Sequence, residues 1–409
     1  MFTRSSLTLA IAVLISAPFA VAETPSIEAM WELVQQQQAE ITALKSQLKQ
    51  TDQRIVVTTE LLAETDNKVE ATAEIIEQGG QGLASIGSAS WAEKTQLGGY
   101  GEHHFNHFED GTDKIDAHRF VLYFGHQFSD DLRFFSEFEL EHSLAGEGKP
   151  GEVELEQAYI EWDYSQNQSL VAGQFLIPIG LINETHEPDT FYGTERNKVE
   201  KNIIPATWWE TGVMFQGEIA PGLSYNAAIH SGLAADDGGK IRGGRQKSAK
   251  ASAEDLAYTA RLKYTGIQGL ELAASVQFQR DLTQGLAIDD TDGVLLEAHA
   301  VYNRGPLSVR ALWAEWDIEG ETFALKGTDE QTGWYVEPSY KVTDNLGLFI
   351  RYSEYNNTAG IVSDDNKTWD YGLNYWLNPR VVVKADYSNN VDKDGADNDS
   401  FNLGLGWSF

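Results

Sequence analysis

The sequence predicts an all-β membrane protein, a 16-stranded antiparallel transmembrane β-barrel preceded by an N-terminal α-helical coiled coil. Three observations predict it: a leader-like start, a strict seven-residue apolar repeat after it, and period-two alternation from about residue 94 to the end. Aromatic residues make up 11% of the chain although its mean hydropathy is −0.36. That combination suits a barrel in which lipid-facing apolar residues alternate with polar lumen residues. No run of about 20 apolar residues follows the leader, so a spanning helix is not expected. The net charge of −32 lacks the basic footprint of a nucleic-acid partner, and the absence of cysteine removes disulfides and thiolate metal sites.

Residues 1–22 read as a signal peptide. Arg4 gives the positive start, Leu7 to Ile15 the apolar stretch, and Ala20-Val21-Ala22 the small-residue cleavage site before Glu23. The exported chain is therefore expected in the outer membrane. Residues 23–77 read as a periplasmic coiled-coil trimerisation segment. Ile27, Val34, Ile41, Leu48, Ile55, Leu62, Val69 and Ile76 occupy position a, and Met30, Gln37 and Leu44 position d before Thr51, Thr58, Thr65 and Thr72. A period of 3.5 predicts a left-handed supercoil. The threonine-rich half needs an oligomer to hold it; the heptads do not settle the number of helices, and a homotrimer is expected because of the barrel that follows. Residues 78–93, rich in Gly and Ser, read as a flexible linker.

The barrel is expected over 94–409, with strands near 95–108, 113–128, 132–144, 152–163, 168–177, 209–219, 222–232, 254–265, 269–280, 293–304, 306–318, 332–342, 345–356, 367–377, 380–389 and 400–409. Every second junction is short, among them Ser129-Asp130-Asp131, Ala220-Pro221-Gly222, Thr265-Gly266-Ile267 and Asn378-Pro379. The others are longer and acidic, the layout of periplasmic turns and external loops. An even strand number lets the last strand close on the first, leaving no edge in lipid. Trp162, Tyr164, Trp316, Trp334, Tyr340, Trp376 and Trp407 lie near strand ends, as interfacial girdles do. The alternating end from Phe401 to Phe409 resembles the C-terminal signature of outer-membrane proteins. Outer-membrane lipid and lipopolysaccharide are the expected surroundings.

The longest junction, 178–208, is PIGLINETHEPDTFYGTERNKVEKNIIPATW and is too long for a passive turn. Gly173-Gln174-Phe175 running into Pro178-Ile179-Gly180, then Phe191-Tyr192-Gly193-Thr194-Glu195-Arg196, resemble the phosphate-selective porin O/P family, as does a coiled coil before a barrel. The resemblance implies a trimer of barrels whose third external loop folds inward as the pore eyelet. It also implies lumen arginines and eyelet lysines that draw phosphate through.

The chain departs from that last pattern. The segment mixes Arg196, Lys198 and Lys201 with Glu184, Glu187, Asp189, Glu195 and Glu200. With the apolar set facing lipid, the lumen basics are Arg133, Arg261, Lys263, Arg310, Arg351 and Lys384. The lumen acids include Glu137, Glu139, Glu141, Glu161, Glu218, Glu271, Glu297 and Asp386. No ring of one sign is legible, and such a ring is what selects ions. The expectation is a passive channel for small hydrophilic solutes or ions, narrowed by an inward loop. An anion- or phosphate-selective porin is the alternative, and an envelope tether whose coiled coil contacts peptidoglycan is the rival from another class.

No enzyme, cofactor or metal site is expected. The nine histidines form no recognisable catalytic motif, and in Glu102-His103-His104-Phe105-Asn106-His107 a strand puts His103 and His107 on one face and His104 on the other. The acidic run Asp392 to Asp399 lacks the spacing of a calcium loop.

Overall fold

The computed structural model describes residue 45 and residues 88–235, 239–286, 290–360, 365–391 and 398–409. The expected signal peptide, coiled coil (Lys45 apart), residues 78–87 of the linker and most of the Asp392–Asp399 run lie outside the described residues. The last six residues of the expected linker are helical, α1 (Ser88–Glu93), and lead directly into the first strand.

Sixteen strands follow, each antiparallel to the next, in one closed barrel. They are β1 (Thr95–Phe108), β2 (Lys114–Ser129), β3 (Leu132–Glu141), β4 (Val153–Ser165), β5 (Gln168–Leu176), β6 (Trp209–Ala220), β7 (Leu223–His230) and β8 (Ala257–Ile267). The second half comprises β9 (Leu270–Gln279), β10 (Asp292–Arg304), β11 (Leu307–Glu319), β12 (Glu330–Lys341), β13 (Leu346–Asn356), β14 (Asn366–Asn378), β15 (Val381–Val391) and β16 (Ser400–Ser408). Two short helices, α2 (Lys198–Asn202) and α3 (Glu321–Lys326), sit in long connections.

Period-two patterning is realised as two faces. On β13, Leu348 and Ile350 are exposed on the outside while Phe349, Arg351 and Ser353 are buried inside. The barrel closes by pairing β1 with β16, from Tyr100 opposite Ser408 to Phe108 opposite Ser400. Gly99 and the C-terminal Phe409 then exchange two backbone hydrogen bonds of 3.1 and 2.9 Å, which extends closure to the last residue. Several short hairpins carry a register shift beside the turn, at Gln127/Ser129, Asp163/Ser165, Glu218/Ala220 and Tyr264/Ile267. The last of these corrects the sequence reading, because residues 265–267 belong to the bulged end of β8 and the turn follows at Gln268-Gly269. A bulge adds a residue to one strand and moves the turn along it.

The aromatic girdle also needs correction. Trp162, Tyr164, Trp334 and Tyr340 are exposed outside as expected. Trp316 is fully buried inside, its Nε1 donating to the Ile203 carbonyl at 2.8 Å, and Trp376 meets the ring of Tyr192 edge-on at 5.7 Å. Position along the pleat, not residue type, decides the face: Trp316 shares its side with Leu312 and Ala314.

Candidate permeation site

The connection from β5 to β6 is built as a compact body. Ile177 N donates to Trp208 O at 3.0 Å across its neck. Asn183 fastens the same neck, donating to the carbonyls of Ile177 and Trp208 at 2.7 and 2.9 Å and accepting from Trp208 N at 2.6 Å. Gly180, at φ 80°, turns the chain where a Cβ would stand 2.8 Å from a Glu200 carboxylate oxygen. The Asn197 side chain caps α2, accepting from Val199 N and Glu200 N at 2.8 and 3.3 Å. Glu200, fully buried, accepts from Leu181 N, Ile182 N and the Tyr335 hydroxyl at 2.8, 2.6 and 2.7 Å.

One side of this body is apolar. Ile177, Ile179, Val199, Ile203, Ile204 and Trp208 pack with Phe175, Met214, Leu312, Trp316 and Tyr335 of the wall. Each such side chain removed from water contributes about 1.5–3 kcal/mol, so this contact fixes the body against the β5–β12 side. Polar bonds hold it as well, one from β11 and the rest from β13–β16 on the other side. Arg310 donates to Thr190 O at 2.9 Å, Asn374 to Phe191 O at 3.0 Å and Lys384 Nζ to Gly193 O at 2.8 Å. Arg351 reaches Tyr192 O at 3.3 Å, Thr194 N donates to Asp386 at 2.7 Å, and Ser408 donates to Asp189 at 2.9 Å.

Three of the cations read from sequence as lumen charges, Arg310, Arg351 and Lys384, are thus bonded to backbone carbonyls of 178–208. Arg351 also bridges Glu337 and Asp370, each at 2.9 Å, with all three groups buried. Removing the guanidinium with Arg351→Met leaves two buried carboxylates uncompensated, a change that typically costs about 3–5 kcal/mol. The expected outcome is a lower unfolding temperature in a heat-modifiable gel-mobility assay; an unchanged temperature would show the triad to be solvated. Arg133 pairs with Glu161 and Asp163 at 2.6 Å each, and Arg261 with Glu184. Lys263 follows Arg261 on the same face of β8, while Glu137 and Glu139 lie buried on β3.

The charges of the segment separate along the barrel. Glu184, Glu187 and Asp189 bond to Arg261, Tyr123 and Ser408, toward the short-turn end. There Glu137, Glu184, His186 and Glu187 line a cavity of about 410 Å³. Lys198 bonds to Asn390, and Glu195 accepts from Asn106 at 3.1 Å, both toward the long-loop end. A cavity of about 240 Å³ there is lined by Glu195, Arg196, Lys201 and Arg242.

Arg242 and Arg245 come from the β7–β8 connection and complete a cationic cluster. Among the described residues, Arg196, Lys201, Arg242 and Arg245 have no carboxylate within ion-pair distance. Arg196 bonds to the Thr207 hydroxyl at 3.1 Å, and Arg242 to the carbonyls of Lys201 and Ala206 at 3.0 and 2.5 Å. Arg245 donates to Thr207 O. All of these acceptors are neutral, and carboxylates act on the cluster only from beyond ion-pair distance: Glu195 on Lys201, Glu141 on Arg242, and Glu154, Glu141 and Glu156 on Arg245. Enclosure in protein, then the neighbouring Arg245 and Arg196, bring the Arg242 guanidinium down to about 9. Enclosure also lowers the Lys201 ammonium, where Arg242, Arg196 and Lys198 together with burial outweigh the attraction of Glu195.

Sequence reading missed Arg242 and Arg245, which lie in a different connection from the segment. It also missed the Glu102–Arg119 pair, 2.5 Å apart, whose signal is the cross-strand register that sets the two residues opposite each other. His104, to which spacing assigned no carboxylate partner, faces inside between Glu102 and Glu195 at 3.1 and 3.2 Å and stacks on His118 at 4.4 Å.

A family model described as phosphate-selective porin O and P matches residues 98–403. A protein of Aquifex aeolicus (strain VF5), described as uncharacterized, is 31% identical over 352 residues, which cover 76% of this chain and 79% of that one. The solved anion-selective porin from Comamonas acidovorans superposes with a TM-score of 0.58 at 11% identity, over 77% of this chain and 99% of that one. The trimer form of OmpT from Vibrio cholerae gives a TM-score of 0.54 at 12% identity, again over 77% and 99%. At such identities the structural likeness is one of fold.

Proposed function

Because the chain belongs to the phosphate-selective porin O and P family, whose members are outer-membrane channels, we propose a passive diffusion channel for small hydrophilic solutes that prefers anions. The segment 178–208 is its constriction. It fills the β5–β12 side of the lumen with apolar packing, and solutes pass on the polar side lined by β1–β4 and β13–β16. The observation that carries the anion preference is the gathering of Arg196, Lys201, Arg242 and Arg245 at the long-loop end, none of them in an ion pair among the described residues. A group of fixed charges of one sign at a narrow place raises the local concentration of counter-ions and favours their passage. The acids Glu184, Glu187 and Asp189 lie beyond it and are bonded to wall side chains.

The test is the reversal potential of the purified protein in a planar bilayer under a potassium chloride gradient. A potential on the chloride side supports the reading, and inorganic phosphate added to the long-loop side should then reduce chloride current. A potential on the potassium side overturns it. The oligomer is proposed as a homotrimer, supported by the heptads of 23–77 and by the trimeric form of a structural neighbour. Deleting residues 23–77 should then lower the trimer fraction in cross-linking while single barrels keep conducting.

A further inference from the structure

On β3 and β4, beside the apolar contact, three buried titratable side chains converge, and two of their atoms have no hydrogen-bond partner among the described residues. Glu137 on β3, Glu156 on β4 and His186 of the constriction are each at most 2% exposed. One ligand atom from each lies within 4.8 Å of the others. His186 Nε2 stands 3.6 Å from Glu137 Oε1 and 3.3 Å from Glu156 Oε2. Those are the separations of neighbouring ligands around a tetrahedral centre whose bonds are about 2.0–2.2 Å.

The hydrogen bonding around the group has the same sense. His186 Nδ1 lies 3.1 Å from the Asn183 carbonyl oxygen, so Nδ1 carries a proton and Nε2 is held facing the two carboxylates. A backbone carbonyl on the far nitrogen is how metal-binding histidines are commonly oriented. Among the described residues, His186 Nε2 and Glu156 Oε2 have no hydrogen-bond partner, and neither has Glu139 Oε2, two residues along β3 from Glu137. Glu137 is steadied from outside the group, accepting from Gln157 Nε2 at 2.6 Å and from the Tyr100 hydroxyl at 3.3 Å. The adjacent wall cation, Arg119, forms its ion pair with Glu102. Several carboxylates enclosed with one imidazole leave an excess of negative charge that an unfilled site bears at high cost.

We propose that Glu137, Glu156 and His186 bind a divalent first-row transition metal of the zinc class, with the fourth position open to Glu139 or water. Imidazole and carboxylate donors suit such ions. The bound ion would tie the constriction to β3 and β4 beside the apolar contact. Its test does not depend on conductance, so its failure and a failure of the proposed anion preference are distinguishable.

The full-length protein in detergent, stripped with a chelator, is titrated with Co(II) and monitored by visible absorption. One equivalent per chain, with the ligand-field bands of a four-coordinate centre and displacement by Zn(II), is the expected result. His186→Ala and the near-isosteric Glu156→Gln, checked for folding by heat-modifiable mobility, should each weaken binding at least about tenfold. His103→Ala, on the outer face, should bind as the wild type does. Failure of the wild-type protein to take up Co(II) overturns the proposal and leaves His186 as an imidazolium between two carboxylates. Uptake that survives His186→Ala overturns it as well.

Discussion

Arg196→Glu combined with Lys201→Glu is expected to turn the channel from anion-preferring to cation-preferring. Both side chains line the cavity at the long-loop end together with Arg242. At an effective dielectric constant near 20, one unit charge acts on an ion 8 Å away with about 2 kcal/mol, before screening by salt. Reversing two charges therefore changes the ratio of chloride to potassium permeability by on the order of tenfold or more, enough to change the sign of the reversal potential. Lys326→Glu, on the exposed face of α3, should leave the sign unchanged. If the double variant keeps the wild-type potential, selectivity resides elsewhere in the lumen. Raising the pH should act in the same direction as the substitutions. The Lys201 ammonium is held below the ordinary lysine value, so its charge is present at neutral pH and is lost earlier on the alkaline side. Anion preference should fall accordingly before ordinary lysines titrate.

Glu200→Ala should release the constriction. The carboxylate holds Leu181 N, Ile182 N and the Tyr335 hydroxyl, and thereby ties the start of the segment to α2 and to β12. Its removal leaves two buried donors and one half-buried donor without their acceptor, at about 1–3 kcal/mol for each buried one, so a loss of about 2 kcal/mol or more is expected. Because the barrel ladders are untouched, that loss should fall on the segment. Single-channel conductance should rise with added open-channel noise, while heat-modifiable mobility shows an intact barrel. Glu200→Gln separates shape from charge. Burial pushes the Glu200 carboxyl above its usual range, against the hydrogen bonds that lower it. The amide, which keeps an acceptor oxygen in place, should therefore behave much closer to the wild type than Ala does. Equal loosening in both variants would mean that the negative charge itself is needed.

The sequence is most legible where one physical rule acts alone. A strand in lipid must show apolar residues outside and has every backbone group paired, so Leu348 and Ile350 against Phe349 and Arg351 reveal both the strand and its facing. Every alternating segment became a strand, with ends within three residues of those read from sequence. Turn placement is less legible where a bulge adds a residue, as at the end of β8. The facing rule fails where the inside is apolar too. Val171 and Phe175 on β5, and Leu312 and Trp316 on β11, point inward because they meet the constriction, so an apolar residue there does not mark the lipid side.

For the site, the sequence located the segment 178–208 and its charged residues but not their arrangement. Linear order puts Glu184, Glu187 and Asp189 ahead of Arg196, Lys198 and Lys201; the fold carries the first group toward the short turns and the second, together with Glu195, toward the long loops. It also brings in Arg242 and Arg245, and sets Glu137, Glu156 and His186 together from three separate stretches. Periodicity is a local property fixed by neighbours two residues apart, and it determined the barrel and most of the strand faces, while particular residues between Gly173 and Arg196 carried the family resemblance. Which lumen charges are bonded to the 178–208 segment and which stand outside any ion pair depends on distances between segments far apart in the chain, and only the tertiary structure decided that.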